Sequence, residues 1–395
     1  MNYKNVSFLV GKPTFKRNTL EPYSLIICNF ISELSLILNK KRNSENFPDI
    51  KTLSFWCRKK NIENLRDKFD KNQIRSGLGL LFHITPSNIP TNFAYSLLFG
   101  LLTGNSNLVK VPSKKFKQID LICKCLNHLL KKKKFKKLSE KITIVRYENN
   151  DEFTKNISSI CDGRLIWGGN KTINEIRQFK LKERSIDIAF SDRFSLSIIN
   201  SNKLLKLKSF DFKLLIKKFY NDTFLVDQNA CSSPHLLIWY GNNSNLAKNR
   251  FWRQLNQYLN EKYTSPLISF FDKITKLHRD SVDLTNFKKY EIFSDKLYVI
   301  TLKKLNSDVC KLRGKWGYFY EYSSNNLNNC IGNLDKSCQT LTYYGFNKNF
   351  LKKLIVKNQI EGIDRIVPIG QALDISLNWD GYDLNKILSR VIDVK

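Results

Sequence analysis

Cys231 stands in the segment DQNACSSPH, residues 227 to 235, where small and polar side chains surround a thiol just ahead of an apolar run that reaches Tyr240. A loop thiol can approach a bound substrate, and its thiolate is nucleophilic where helix-end amides or a nearby positive charge favour it. By residue type alone Cys231 is either such a nucleophile or an inert thiol, and His235 is either its base or a packed residue opening a strand. A second group lies in ITPSNIPTNFAYSLLFGLLTGNSNLVKVPSK, residues 84 to 114. Pro86 and Pro90 frame Asn88 in a rigid turn, which makes it a fixed amide donor or a helix cap. Lys110 ends the next apolar run, as a solvated strand end or as a ligand to an anion. Gly168 and Gly169 join an apolar run to a helical pattern, forming a tight turn or a place where backbone amides face a pyrophosphate. The phosphate loops G-x-x-x-x-G-K-[ST] and G-x-G-x-x-G are absent.

Alternating units must position these groups. The spacing of Ile27, Phe30, Ile31, Leu34 and Leu38 predicts a helix over 25–38. Strands are predicted at 79–84, 107–111, 141–147, 164–167, 186–190 and 196–200, with helices at 91–102, 116–130 and 172–179 between them. Such alternation specifies an α/β fold with a mainly parallel sheet covered on both faces. The run KKKKFKK, residues 131 to 137, falls where a helix should end and reads as a solvated cap opposing the helix dipole, or as a docking patch for an acidic partner. Asn/Ser-rich loops are expected at 242–249 and 323–333, bracketing a second α/β domain around 200–365.

Composition narrows the classes. With 395 residues, 42% of them apolar, the chain builds two or three globular domains. Its longest dense apolar stretch, 93–102, falls well short of the ~20 residues that span a bilayer. The N-terminus lacks a sustained apolar core and a small-residue cleavage site, so a cytoplasmic location is expected. Nine scattered cysteines without a Cys-x-x-Cys pair, and four histidines, imply neither a disulfide framework nor a metal site. A net charge of +31, mostly lysine and accompanied by abundant Asn, Ile, Phe and Tyr, fits AT-rich codon usage, a polyanion partner, or attraction of phosphate-bearing substrates.

Taken in order, Pro-x-Asn-x-Pro, then Gly-Asn followed by Lys-x-Pro-Ser, a Gly pair, and Gln-x-x-Cys resemble the aldehyde dehydrogenase superfamily. More narrowly, FWCRKKNI (55–62), HITPSNIPTNFAYSLLFGLLTGN (83–105), FYNDTFLVDQNACSSPH (219–235), CQTLTYYG (338–345) and GIDRIVPIGQALDISLNWDGYD (362–383) resemble the LuxC-type acyl-CoA reductases, the thioester reductases that supply fatty aldehyde in bacterial luminescence. The resemblance implies an aldehyde dehydrogenase-like fold: a helical segment and Rossmann-like cofactor domain over 1–195, a catalytic α/β domain over 196–365, and a C-terminal segment, 366–395, returning to the cofactor domain. It implies reduction of a fatty acyl-CoA or acyl-protein thioester to the aldehyde. Cys231 then matches the acylated nucleophile, and Asn88 the amide that joins the Cys231 N–H in an oxyanion hole. Lys110 matches the ligand of the adenosine ribose, Gly168 and Gly169 the turn beneath the pyrophosphate, and Glu321, in GYFYEY, the carboxylate on the nicotinamide ribose.

Departures from the superfamily pattern sharpen the expectation. Acid-forming members need a glutamate base, and IDIAFS, residues 186 to 191, has none, although Asp187 and Asp192 are close. A thioester on Cys231 would then resist water and await hydride. The acidic residue that refuses a 2′-phosphate is also missing after Lys110, where Ser113 and Lys114 stand, so NADPH is expected, without a metal. Expected partners are the thioester, an acyl-protein synthetase or acyl carrier, and further copies of the chain; no specific nucleic acid and no membrane span are expected. Two alternatives stand beside this: an aldehyde dehydrogenase oxidising aldehyde to acid or acyl-CoA, and a catalytically decayed basic binding protein.

Overall fold

Strands buried at every position demand cover on both faces, and Leu80–Ile84 and Gly163–Trp167 are buried throughout. The computed structural model describes residues 5–40, 47–69, 73–148, 150–306, 308–332 and 334–395. Residues 1–4, which open the stretch read for a leader, and Asn333, the end of the second Asn/Ser-rich loop, lie outside the described residues. The chain divides into two units, one of residues 1–192 and 375–395, the other of 193–374.

In the first unit the strands are β1 (Ser7–Val10), β2 (Ile74–Gly77), β3 (Leu80–Ile84), β4 (Ser106–Val111), β5 (Ile142–Arg146), β6 (Gly163–Trp167) and β7 (Ile186–Phe190). Six of them form a sheet in the order β1-β5-β4-β3-β6-β7, parallel except for β1 on β5. From β3 the chain winds outward through β4 and β5, then returns to the other side of β3 for β6 and β7. The winding therefore reverses at β3/β6, the place where open α/β sheets bind ligands beyond their strand ends. Helices Leu25–Leu38, Asn92–Leu102 and Lys117–Leu130 bury Phe30, Phe99 and Ile122 on one face, and Asp151–Ile160 buries Phe153 and Ile157 on the other.

Inside this core runs a polar chain. His83 on β3 contacts Ser96 Oγ through Nδ1 at 2.7 Å and Asn107 Oδ1 through Nε2 at 3.0 Å, while Trp167 Nε1 donates to Ser96 Oγ at 2.9 Å. Burial lowers the His83 pKa to about 4, so the ring is a neutral strut linking β4, β3, the Asn92–Leu102 helix and β6. The lysine run departs from a simple solvated cap. Phe135 is buried in a 3₁₀ turn, Lys133–Leu138, and Lys132 and Lys134 both pair with Glu33 on the helix Leu25–Leu38.

The second unit contains β8 (Phe194–Asn200), β9 (Pro234–Tyr240), β10 (Phe287–Ser294), β11 (Leu297–Leu302), β12 (Tyr318–Ser324), β13 (Cys338–Tyr344) and β14 (Arg365–Pro368), in the order β10-β11-β12-β9-β8-β13-β14. All pairs are parallel except the β10–β11 hairpin. One face packs Phe219, Phe251, Trp252 and Leu255 against Trp239 and Phe319; the other packs Leu277, Leu351 and Leu354 against Tyr320 and Leu341. The region 242–249, expected as a loop, enters the helix Ser244–Lys262, because Ala247, Phe251, Trp252, Leu255 and Leu259 continue a helical stripe that its Asn-rich start conceals. Likewise 323–333 contains the short helix Leu327–Ile331, capped by the Asn326 side chain on the Asn328 N–H. The boundary expected at 365 falls at 374: β14 completes this sheet, and Arg365 donates to the carbonyls of Gln371, Ala372 and Asp374. Thereafter β15 (Asn378–Trp379), β16 (Tyr382–Asp383) and β17 (Ser389–Ile392) belong to the first unit, where β17 pairs antiparallel with β2.

Glu321 on β12 is a correction to the site expected from the sequence. Its Oε2 accepts from Trp239 Nε1 at 3.0 Å and Trp252 Nε1 at 2.9 Å, and its Oε1 from Thr301 Oγ1 at 2.8 Å and the Lys248 ammonium at 3.0 Å. Four donors fill the acceptor capacity of a carboxylate, and the side chain is buried, so Glu321 has nothing left for a ribose. It is an internal anchor joining β9, β11, β12 and the helix Ser244–Lys262. Glu321→Gln should therefore lower the unfolding free energy by ~3 kcal/mol, through a buried Lys248 left without its counter-charge. Urea denaturation checks this; a variant with native stability and a raised cofactor KM would restore the ribose role.

Candidate active site

Three adjacent strands of the first unit end at the groups singled out in the sequence. In the register of β4, β3 and β6, Lys110 lies opposite Ile84, and Ile84 opposite Ile166. Beyond β3, Thr85 donates to the Lys110 carbonyl from both N, at 3.1 Å, and Oγ1, at 2.8 Å, fastening one strand end to the next. Asn88 lies on the exposed turn after it. The N-cap position of the next helix, Asn92–Leu102, is held by Thr91. Lys110 is half-buried with its ammonium 4.9 Å from the Tyr147 ring centroid. Burial pulls its pKa down, partly opposed by Glu148 just past β5. Glu148 is thus an acidic neighbour that the chain order hid. Ser113 and Lys114 are exposed in the loop after β4, Lys114 over the Phe116 ring at 5.2 Å.

Past β6, the Gly168 N–H donates to the Phe190 carbonyl at 3.2 Å, and Gly169 is the N-cap of the helix Asn170–Arg177. Gly169 has φ −68°, and a Cβ there would meet nothing within 4 Å. Neither conformation nor packing asks for glycine, so its absent side chain leaves open backbone at a helix start. That suits the approach of a pyrophosphate. Asp187, one of the two carboxylates at the segment without a glutamate, is engaged by Arg164 at 2.8 Å and by Arg177 at 3.5 Å. Asp192 is exposed at the end of the unit.

In the second unit the thiol is set by a strained turn. After the helix Ser209–Thr223 and a 3₁₀ turn, Asp227 and Gln228 adopt φ +51° and +60°. Two consecutive left-handed residues without glycine cost ~1 to 2 kcal/mol each. Several contacts hold them there: Tyr263 Oη donates to Asp227 Oδ1 at 2.7 Å, the Trp316 N–H to the Asp227 carbonyl at 3.2 Å, and the Gln228 N–H to Thr223 O at 2.8 Å. The buried Gln228 amide donates to the carbonyls of Pro234 and Tyr318, at 3.2 and 3.3 Å, and its Oε1 accepts the Gly317 N–H at 3.1 Å. Around Cys231, Ser195 Oγ donates to the Cys231 carbonyl at 2.6 Å while accepting the Thr340 N–H at 3.1 Å. Ser233 bonds Ala230 O through its N–H and Asp222 O through Oγ.

The turn presents one thiol. Cys231 and Cys310 are half-buried and the other seven cysteines are buried. Burial raises the thiol pKa of Cys123, Cys161 and Cys338 to about 12, so these stay protonated and inert. His235 is no base for Cys231. Its Nδ1 accepts the Gly314 N–H at 3.3 Å, and burial, with Arg313 and Lys276 nearby, lowers its pKa to about 3. Asp222 anchors the other side, accepting the N–H groups of Gly370 at 2.6 Å and Ala372 at 2.9 Å, while burial raises its pKa to about 7. Sequence reasoning carried Gln228 only as the first residue of Gln-x-x-Cys and missed Ser195, Ser233 and Asp222, whose one signal is polarity amid residues that the fold buries. Among the described residues no group of His, Cys, Asp and Glu is disposed to hold a metal, and no helix is long and apolar enough to cross a membrane.

Solved structures similar to this chain share the aldehyde dehydrogenase fold. Proline utilization A of Bradyrhizobium japonicum superposes with TM-score 0.65 over 93% of this chain and 42% of its own, at 11% identity. The NAD-dependent benzaldehyde dehydrogenase of Corynebacterium glutamicum does so with TM-score 0.61 over 94% of this chain and 85% of its own, at 8% identity. The 1-pyrroline-5-carboxylate dehydrogenase of Thermus thermophilus gives TM-score 0.62 over 93% and 80%, at 8% identity. In sequence, a long-chain acyl-protein thioester reductase of Aliivibrio fischeri is 22% identical over 182 residues, 46% of this chain and 36% of the relative's length. The chain thus matches only about a third of that relative. The pattern of the acyl-CoA reductase (LuxC) family covers residues 30–274, which include Asn88, Lys110, the Gly168–Gly169 turn and Cys231 but not Glu321. Matched over more than half its length, and folded as an aldehyde dehydrogenase, the chain belongs to the acyl-CoA reductase (LuxC) family.

Proposed function

We propose that this protein reduces a fatty acyl thioester to the aldehyde with NADPH, through an acyl-enzyme on Cys231. The observation that carries the reading is the contrast among the thiols: Cys231 is half-buried on a turn braced by Gln228, Ser195 and Ser233, and seven of the others are shut in the core. The Aliivibrio relative is named for acyl-protein thioesters, and the family for acyl-CoA, so both carriers are substrates to test.

In the first step the Cys231 thiolate attacks the thioester carbonyl carbon, and the bond between that carbon and the carrier sulfur breaks. The carrier leaves as a thiol after taking up a proton. The Cys231 N–H serves as a donor to the carbonyl oxygen while negative charge develops there, and the resemblance implies the Asn88 side-chain amide as the second donor. NADPH, when bound, supplies the hydride that reduces the acyl group. The open Gly169 backbone, with Lys110 two strands away, fits the anionic part of such a cofactor, with Lys110 directed to the adenosine ribose and Ser113 and Lys114 to a 2′-phosphate. The reduced carbon on Cys231 is a thiohemiacetal, and its collapse releases aldehyde and restores the thiol. Asp187, tied up by two arginines, is poorly placed to activate water, which supports reduction over hydrolysis.

Incubation with acyl-CoA and NADPH, following cofactor absorbance and identifying the product by mass spectrometry, tests the reading. Aldehyde formation is expected; acid as the product from acyl-CoA, or no turnover with either carrier, would contradict it. Cys231→Ala should abolish aldehyde formation, whereas Cys310→Ala, the other half-buried thiol, should stay within about threefold of wild type.

Asn88→Ala and Lys110→Ala should fail differently. Loss of an oxyanion donor lowers kcat by ~100-fold and leaves the cofactor KM near its original value. Loss of Lys110 raises the cofactor KM. Identical defects in steady-state kinetics would show one assignment to be wrong.

Cofactor choice rests on two ammonium groups, Lys110 and Lys114, set against one carboxylate, Glu148. NADPH should exceed NADH in kcat/KM by ~10-fold, the scale of one or two charge-assisted hydrogen bonds to the 2′-phosphate. Lys114→Glu should shrink that ratio and Glu148→Gln should enlarge it. A ratio near one that neither substitution moves would refute NADPH preference.

A further inference from the structure

The second unit contains a cavity of about 230 Å³, lined by Asp272, Lys273 and Lys276 of the helix Leu267–Asp283 and by Arg313, Lys315 and Trp316 of the loop ahead of β12. Four cations line it against one carboxylate, Asp272, and one of the four, Lys276, is paired with Asp280 at 3.2 Å. In a chain of net charge +31 such a cluster needs support beyond composition, and the geometry gives two kinds.

The first is Lys273, which is only 2% exposed. Its ammonium is held by backbone carbonyls, those of Asp295 and of Trp316, the latter at 3.0 Å. Burial lowers its pKa to about 8, a desolvation cost that an anion in the cavity would offset. The second is the attachment of the cavity wall to the Cys231 turn. Gly314 bonds His235, Trp316 bonds Asp227, and Gly317 bonds Gln228, so the loop carrying Arg313, Lys315 and Trp316 is fastened on both sides of the thiol in the sequence. Trp316 itself is held at φ +52°, an unfavourable conformation for an aromatic residue.

We propose that this cavity seats the phosphate-bearing end of the thioester's carrier, with coenzyme A as the occupant. The inference rests on the reading of the chain as a thioester reductase. Arg313 and Lys315 would take the phosphates through charge-assisted hydrogen bonds, beside Lys276, which Asp280 already holds at 3.2 Å, and the half-buried Trp316 ring offers the adenine an apolar face. The volume is below the ~300 to 1,000 Å³ that enclose a whole small ligand, which suits one end of a long molecule whose thioester end extends to the nucleophile.

Calorimetric titration of free carriers tests this without turnover, on the whole protein with NADP⁺ present at saturation to occupy the cofactor's own phosphate site. Coenzyme A should bind ~10-fold or more tightly than pantetheine, which has no phosphate. The Arg313→Gln/Lys315→Gln double variant should remove most of that difference, and Lys289→Gln, an exposed cation on β10, should preserve it. If the double variant does not fold, Lys315→Gln alone, at an exposed position, should still lower the ratio severalfold. 4′-Phosphopantetheine separates the sources: binding equal to coenzyme A means that a single phosphate, which an acyl carrier protein also bears, fills the cavity, and intermediate binding means that the nucleotide end adds to it. Both outcomes support the site. Equal binding of coenzyme A and pantetheine by wild type, or an undiminished preference in the folded variants, overturns it. Because binding requires no reduction, tight coenzyme A binding without aldehyde formation would count against the Cys231 chemistry and not against the cavity.

Discussion

One buried amide organises the chemistry of the second unit. Gln228 donates to the carbonyls at the start of β9 and β12 and accepts the N–H of Gly317, so a single side chain fixes the start of two strands and the loop between Gly314 and Gly317. Its own backbone is left-handed, next to a left-handed Asp227. The strain is tolerated because the side-chain bonds are made in a dry site, where an unmade hydrogen bond costs more than in water. From that anchor the chain has only two residues before Cys231, and Ser195 and Ser233 fasten the thiol's turn to β8 and to the helix Ser209–Thr223. These bonds position the turn that carries the thiol, and His235 takes no part as a base. His235, neutral and hydrogen-bonded to Gly314, belongs to the scaffold.

The first unit solves a different problem with parallel register. Strand ends converge where the winding reverses, and Thr85 bonds the Lys110 carbonyl so that the Asn88 turn leaves from a fixed point. Beneath them, Asn107, His83, Ser96 and Trp167 form a buried chain across the same strands. Such a chain is stable only when every member is satisfied, and it resists sliding of one strand past its neighbour. Rigidity there gives meaning to an open Gly169 and an accessible Lys114.

Much of this was legible in the residues. Apolar runs of four to six residues separated by helical stripes forced a parallel sheet, and the strand ends fell at Asn88, Lys110 and Gly168 because turn chemistry sits where the apolar runs stop. The motif order singles out Cys231 among nine cysteines. Glu321 was misread because a carboxylate in an aromatic strand looks like a ligand until Trp239, Trp252, Thr301 and Lys248 arrive from elsewhere in the chain. The helix after Asn243 was hidden by a polar first turn, and Glu148 by the distance in sequence between β4 and β5. Long-range partners decided each case, and spacing does not report them.

The expected persistence of a thioester on Cys231 gives the account its most direct test. Labelled acyl-CoA mixed with the protein without reduced cofactor, quenched over seconds to minutes and mapped by mass spectrometry, follows the acyl group itself. The account predicts label on Cys231 alone, persisting until NADPH is added and then lost as aldehyde. Label on another cysteine, or rapid release of free acid before NADPH arrives, would contradict it.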